Sequence, residues 1–155
     1  MGMLGRFISW AQDRDKYGPQ PVVTFDGRPL FDRYAPFWQD EFRGRWPMPW
    51  WRHFNVFLHH WKNGEGDAFH DHPRWSITIC LCGSIIERTP WGEKLLTPGS
   101  VVFRSRKAIH AFKLPPGSEG NTWTLFIVGR RKHVQNSYVV NSRGYRGSGM
   151  KEPHP

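Results

Sequence analysis

The chain has 155 residues, with 22 lysines and arginines against 13 acidic residues, which gives a formal net charge of +9. This length suits one domain with a substantial core, and no apolar run is long enough to cross a bilayer. The sequence shows no internal repeat, no coiled-coil heptads and no helix-turn-helix, zinc-finger or RNA-recognition signature. The excess of positive charge favours an anionic ligand, an acidic partner or nucleic acid.

The N-terminal residues predict a short amphipathic helix over 3–15. Its apolar side chains recur at intervals of three and four residues, which places them on one helical face: Leu4, Phe7, Ile8 and Ala11. Residues 17–53 follow as an irregular, aromatic-rich extension. We expect residues 1–53 to pack on the domain that follows, with a hydrophobic flap that contains Trp46, Trp50 and Trp51. Stacking of these rings on sugars or bases is the alternative.

Beyond residue 53, glycine and proline punctuate short apolar runs, a pattern typical of an all-β barrel or sandwich. Eight strands are predicted, at residues 54–61, 75–82, 84–89, 94–97, 100–104, 110–114, 122–128 and 136–140. The barrel domain therefore spans 54–140. Residues 141–155 are rich in glycine, serine, arginine and proline, and they predict a flexible basic tail.

His70 and His72 are separated by a single residue. Side chains alternate along a strand, so both imidazoles project from the same face. Two neighbouring imidazoles form half of a site for a first-row transition metal. By themselves they are equally typical of a polar surface strand.

The surrounding residues resemble the first sequence motif of the cupin superfamily. That motif reads glycine, five residues, His-x-His and a later glycine, and Gly64 and Gly83 hold the two glycine positions here. Residues 92–103 resemble the opening of the second cupin motif, and Ile109-His110 its close. The resemblance covers roughly residues 54 to 130. It implies an all-β, single-domain jelly-roll barrel and three metal ligands: His70, His72 and His110.

Several positions depart from the cupin pattern. The glutamate of the first motif would fall at Ser76 or Ile77, and neither is an anionic ligand. Residues 105–107 read Ser-Arg-Lys instead of Pro-x-Gly, and Leu114 replaces the terminal asparagine. The remaining three-histidine set is similar to that of the thiol and diketone dioxygenase branches. It leaves the full charge of the metal available to an anionic chelating substrate.

The cofactor that this resemblance implies is one divalent transition metal. Fe(II) is expected first, and Zn, Ni, Mn or Cu are accepted by the same ligands. The alternative is a cupin that has drifted from catalysis and holds metal weakly or not at all.

The strand at 75–82 carries apolar residues on both faces. Without a bulge, alternate residues line the barrel interior: Ser76, Thr78, Cys80 and Cys82. The outer face is then Trp75, Ile77, Ile79 and Leu81, and it needs a cover, either the N-terminal segment or a second subunit. We expect a homodimer, since cupins commonly dimerise in this way. The two cysteines are badly placed for a disulfide, and buried thiols are favoured over a thiolate ligand.

Arg104 is the first candidate to bind the anionic group of a substrate. It shares parity with His110, so we expect it to point into the pocket beside Ser76 and Thr78, which are expected to contact the substrate. Arg52 and Arg74 are rival candidates. For each arginine the alternative is a solvated surface charge.

Two further roles are expected from the sequence. One of the neighbouring His59 and His60 is a candidate acid–base group, and we assign His60; a simply hydrogen-bonded histidine is the alternative. Arg104 is the second catalytic candidate, because it is expected to position the substrate anion. Each ligating imidazole needs an acceptor for its second ring N–H, and Glu87 or a backbone carbonyl is expected to supply it.

Three function classes follow. The first is a mononuclear iron dioxygenase acting on a small anionic substrate. The second is a non-oxidative cupin, either an isomerase-like enzyme or a module that binds or senses a small molecule. The third is a basic structural or nucleic-acid-associated protein on a degenerate barrel, and nucleic acid is not favoured. No secretory signal is recognised and no membrane partner is expected, so the protein is expected in the cytoplasm.

Overall fold

A computed structural model describes residues 2–15, 18–23, 29–37, 54–64, 69–72, 74–129, 137–141 and 144–148. In chain order these contain α1 (Met3–Arg14), β1 (Gln20–Val23), β2 (Pro29–Tyr34), β3 (Asn55–Trp61), β4 (Phe69–His70), β5 (Ser76–Cys82), β6 (Ile85–Thr89), β7 (Gly92–Leu96), β8 (Val101–Arg104), β9 (Ala111–Lys113), β10 (Thr122–Val128), β11 (Ser137–Asn141) and β12 (Gly144–Ser148).

One large antiparallel sheet has the strand order β1-β2-β3-β10-β5-β8. Strand β10 lies at its middle and pairs along its whole length with β3 and with β5. In β5 the alternate residues Ser76, Thr78 and Cys80 are buried, whereas Ile77 and Ile79 between them are half-buried. The predicted inward parity is therefore confirmed for these three residues, whereas Cys82, also predicted to face inward, is half-buried at the end of the strand.

Two smaller sheets, β12-β11-β4 and β7-β6-β9, form the opposite layer. A bridge between His70 and His110 joins them, so the layer reads β12-β11-β4-β9-β6-β7. The main apolar core lies between the two layers and takes residues from both: Leu30, Phe31, Trp61, Cys80, Ile85, Leu96, Phe112 and Leu114. This arrangement agrees with the predicted all-β jelly roll.

Helix α1 packs on the outer side of the large sheet. Its buried Ala11 contacts a cluster that includes Tyr34 and Leu58, and Leu81 and Trp123 are packed against the same cluster. At the helix end, the Ala35 N–H donates to the Asp15 carboxylate at 3.1 Å. The helix thus covers part of the apolar outer face of β5, at Leu81, as the prediction of an N-terminal cover requires.

The eight predicted strands are all present, with each end within two residues of its predicted position. Residues 17–53, however, are not irregular throughout, because β1 and β2 extend the large sheet from its β3 edge. Prolines at 21 and 29 and the charged pair at 32–33 interrupt the strand pattern there. Residues 144–148 of the predicted flexible tail likewise pair with β11. The tryptophans at 46, 50 and 51 lie outside the described residues.

Gly83, between β5 and β6, should be far less tolerant of a side chain than Gly99. Both have positive φ, +67° and +88°, but a Cβ on Gly83 would lie 2.4 Å from Thr122 Oγ1, whereas a Cβ on Gly99 meets nothing within 4 Å. We expect Gly99→Ala to lower the free energy of unfolding by about 1 kcal/mol and Gly83→Ala by about 3 kcal/mol. Urea unfolding of both variants measures this, and equal losses would contradict the steric argument.

Candidate metal centre

Three histidines from two parts of the chain converge in the barrel interior. His70 ends β4, His72 follows two residues later, and His110 immediately precedes β9. One ligand nitrogen from each ring can be chosen so that all lie within 4.8 Å of one another. The ring centroids are 4.8 to 4.9 Å apart. In the part of the chain that the structure describes, this is the one such group of histidine, cysteine or acidic residues.

The backbone sets this convergence. The His70 N–H donates to the His110 carbonyl at 2.9 Å, and the His110 N–H donates to the His70 carbonyl at 3.0 Å. Residues that are directly opposite in an antiparallel pair place their side chains on the same face. The two imidazoles therefore lie side by side, and the spacing of two residues brings His72 to the same face.

Glu87 orients the His110 ring. His110 Nδ1 lies 3.2 Å from Glu87 Oε1, and both side chains are buried. A carboxylate at Nδ1 holds the proton there, so the lone pair is left on Nε2. The acceptor predicted from the sequence is therefore the one that the structure places on this ring.

The two nitrogens His72 Nε2 and His110 Nε2 are 2.8 Å apart. Burial, followed by the charges of neighbouring groups, holds the pKa of each of these histidines well below its usual range. Both rings are therefore neutral at physiological pH, the state in which imidazole binds a metal. Together with His70 they offer three imidazole nitrogens within 4.8 Å of one another, a donor set that fits a divalent first-row transition metal.

Arg104 is connected to His110 through Glu87 and makes hydrogen bonds of its own. Its Nε donates to Glu87 Oε1 and its Nη1 to Thr78 Oγ1 at 2.7 Å. The guanidinium also sits over the Phe112 ring, 4.9 Å from its centroid. Only Nη2 is enclosed without a partner among the described residues. The Glu87 carboxylate thus compensates the charge of Arg104 and orients His110 at the same time.

Comparison with known proteins rests on structure alone. No family model matches the sequence, and no curated protein is similar enough in sequence to count as a match. The polyketide cyclase RemF from Streptomyces resistomycificus is 15% identical over 73% of this chain and 74% of its own, with a TM-score of 0.58. KdgF from Halomonas sp. is 15% identical over 76% of this chain and 92% of its own, with a TM-score of 0.52.

A predicted oxalate decarboxylase from Thermotoga maritima is 11% identical over 76% of this chain and 96% of its own, with a TM-score of 0.57. The protein has the cupin fold. At these identities the likeness concerns the fold and does not extend to a reaction.

Two of the predicted substrate residues are linked to the histidine group, because Arg104 shares the Glu87 carboxylate with His110 and donates to Thr78. Ser76, Thr78 and Arg104 are buried in the interior, and Ser76 Oγ has no hydrogen-bond partner among the residues described. Arg74 donates from Nη1 to the Gly129 carbonyl at 2.9 Å. Arg52 lies outside the described residues.

The structure does not bring His60 to the histidine group. Its ring stacks on Trp123 at 4.0 Å, and its Nε2 lies 2.8 Å from the Gly120 carbonyl. The neighbouring His59 instead faces the interior, where it is buried and stacks on Phe31 at 4.3 Å. Burial, then the charges of nearby groups, lowers the pKa of His59 well below its usual range.

His59 and His60 are adjacent in β3, so their side chains lie on opposite faces of the strand. In β3 the alternate residues Asn55, Phe57 and Trp61 are buried with His59. Counting in twos from the aromatic residues Phe57 and Trp61, which share a face, would have placed His59 inside and His60 outside.

Arg33, on β2, was missed as well. Its guanidinium carbon lies 5.2 Å from the Phe57 ring centroid, and its charge lowers the pKa of the interior His59. No strand was predicted at this position, so the sequence offered no face on which to place it.

Among the described residues, no helix is both long enough and apolar enough to span a membrane.

Replacing Glu87 should weaken metal binding and stability together. Glu87→Gln removes the charge that fixes the His110 proton and compensates Arg104. We expect the metal affinity to fall by about 10–100-fold and the free energy of unfolding by about 3 kcal/mol. Competition with a chromophoric chelator and urea unfolding measure the two. The exposed Glu93, paired with Lys113 at 2.8 Å, provides the control, and Glu93→Gln should leave the metal affinity unchanged. Unaltered affinity in Glu87→Gln would contradict the orienting role.

Cys80 should be inert to alkylation in the folded protein. Burial, together with the nearby Cys82, raises the pKa of the Cys80 thiol to about 11, so only about one thiol in a thousand is ionised at pH 8. We expect iodoacetamide to leave Cys80 unlabelled for hours at this pH and to label it after unfolding, as measured by peptide mass spectrometry. Rapid labelling of the native protein would show that the thiol is reactive.

Proposed function

We propose that the protein is a mononuclear metal-dependent cupin enzyme in which His70, His72 and His110 hold one divalent transition metal. The convergence of the three rings, with Glu87 on the far nitrogen of His110, is the observation that carries this proposal. Fe(II) is the metal we propose first, and Zn, Ni, Mn or Cu fit the same three imidazoles.

The reaction we propose is oxidation of a small anionic substrate by dioxygen, as in an iron dioxygenase. A bound ferrous ion would supply the redox chemistry. The chain's own contribution is a neutral donor set, because no carboxylate joins the three histidines within the described residues. Such a set leaves the metal charge uncompensated and favours an anionic substrate.

Within this proposal, three predicted residues keep roles on the substrate side. Ser76 and Arg104 each have one enclosed polar atom without a partner in the described chain, Oγ and Nη2 respectively. Thr78 holds the Arg104 guanidinium in place. We propose that these residues position the substrate near the histidines. His60, hydrogen-bonded to Gly120, is the weaker candidate for acid–base catalysis.

A non-oxidative reaction is the second candidate. Two of the cupins with similar structures are named as a polyketide cyclase and a predicted oxalate decarboxylase, and neither name denotes an oxygenase. In such a reaction the metal would act as a Lewis acid that polarises a carbonyl oxygen. The same three histidines and the same positioning residues would serve it.

Two accompanying proposals concern the state of the protein. A homodimer is supported by the exposed apolar residues Val101 and Phe103 on β8, the edge strand of the large sheet. A cytoplasmic location is supported by the two free cysteines, Cys80 and Cys82.

Metal content and oxygen uptake test the proposed function. Protein purified anaerobically without a histidine tag should contain about one iron per chain by elemental mass spectrometry, and the double variant His70→Ala/His72→Ala should contain none. His60→Ala is the matched control, because this histidine lies away from the group, and it should retain the metal. Oxygen consumption is then measured with a panel of small carboxylates.

The outcomes separate the candidates. Iron with substrate-dependent oxygen consumption supports the dioxygenase. Stoichiometric zinc or nickel without oxygen consumption would move the assignment to a non-oxidative cupin. A native protein that binds no metal even after reconstitution would contradict both.

A further inference from the structure

Among the described residues, none compensates the charge of Arg33. It lies on β2, directly opposite His59 of β3, and its side chain is half-buried. It makes no hydrogen bond and no ion pair within the described part of the chain, and its Nε is enclosed without a partner. Its guanidinium carbon lies over two aromatic rings, 5.2 Å from the Phe57 centroid and 6.0 Å from the Phe31 centroid.

Such a position is unfavourable for a guanidinium. Burial lowers the pKa of Arg33, yet an arginine stays protonated at any physiological pH. Contact with aromatic faces recovers only part of the lost hydration. An ion that is removed from water without a counter-ion destabilises the folded state. A buried guanidinium that destabilises the fold in this way points to a role in binding an anionic ligand.

Arg33 lies on the side of the interior that leads to the metal centre. The ring of His59, the residue opposite Arg33, is tilted against Phe126 with 5.2 Å between the centroids. The Phe126 centroid in turn lies 5.4 Å from that of His72. Arg33 is thus connected to His72, one member of the histidine group, through its strand neighbour His59 and the Phe126 ring.

Arg104 differs from Arg33 in this respect. It is bound to Glu87 and Thr78, so its charge is compensated and two of its three nitrogens are engaged. The terminal nitrogens of Arg33 have no such partner in the residues that are described. Between Arg33 and Arg104, Arg33 is therefore the one whose guanidinium can bind an anionic ligand without losing a described hydrogen bond.

We propose that Arg33 binds the carboxylate of a small substrate whose other end reaches the three histidines. The planar guanidinium of arginine matches a carboxylate with two parallel hydrogen bonds. Phe57 lies against Arg33 and Phe126 lies against His72, so apolar rings at both ends suit a substrate with a short apolar middle. The carboxylate contact stands on Arg33 alone, whereas the position of the other end rests on the proposed metal centre.

A pair of probes isolates the carboxylate contact. 3-Mercaptopropanoate and 3-mercaptopropanamide both carry a thiol, which binds any of the candidate metals, but only the first carries a carboxylate. Their dissociation constants are measured by anaerobic titration calorimetry, with and without bound metal, so that no turnover is needed. We expect the native protein to bind the acid at least about ten-fold tighter than the amide.

Three variants test the assignment to Arg33. Arg33→Met should abolish the preference for the acid and leave the affinity for the amide and the metal content unchanged. Because an uncompensated buried charge is removed, its melting temperature should rise by about 2–4 °C. Arg33→Lys keeps the charge but not the paired nitrogens, so it should bind the acid with intermediate affinity. Arg6→Met removes the same charge from the exposed face of α1 and should change nothing.

Two results would overturn the proposal. One is equal affinity of the native protein for acid and amide, whether or not metal is bound. The other is an unchanged preference in a folded Arg33 variant, or an equal loss in Arg6→Met, which would show a general charge effect. Absence of oxygen consumption in the native protein would refute the dioxygenase while leaving the Arg33 contact intact, so the two failures are distinguishable.

Discussion

The reciprocal backbone hydrogen bonds between His70 and His110 are the contact on which both the barrel and the metal group depend. They join β4 to β9, and so connect the two three-stranded sheets into one layer. They also fix the two imidazoles on the same face, because directly opposite residues of an antiparallel pair share a face. A slip of one residue in this register would turn one ring out of the interior. Fold and donor set are therefore specified by the same two hydrogen bonds.

The buried ion pair of Arg104 and Glu87 lies at one end of the large sheet, which we call the polar end. Ser76 begins β5 and pairs with Arg104 at the end of β8, while Trp61 ends β3 within the main apolar core. Apolar packing at one end supplies the stability that the polar end lacks. At the polar end Glu87 serves both His110 and Arg104, so these three side chains form a network whose members depend on one another.

The sequence predicted the features that follow from strand parity and from motif spacing. The three histidines, the acceptor Glu87, the inward face of β5 and the eight main strands belong to this group. It could not predict β1 and β2, because their prolines and charges obscure the alternation that marks a strand. Without β2 there was no face for Arg33. The pairing of Arg104 with Glu87 was also beyond sequence reasoning, since it joins strands that are not adjacent in a sheet.

The position of the Glu87 carboxylate gives the site its electrostatic character. Where the cupin pattern has a glutamate ligand, this chain has Ser76 or its neighbour. The carboxylate of Glu87 bonds the far nitrogen of His110, one hydrogen bond further out. The Glu87 carboxylate pairs with Arg104 and His110, so it would not offset the positive charge of a metal bound to the three nitrogens. The positive charge of such a metal and that of Arg33 therefore remain uncompensated by any described contact. An interior with two separated positive centres favours a ligand with a donor group at each end over a neutral one.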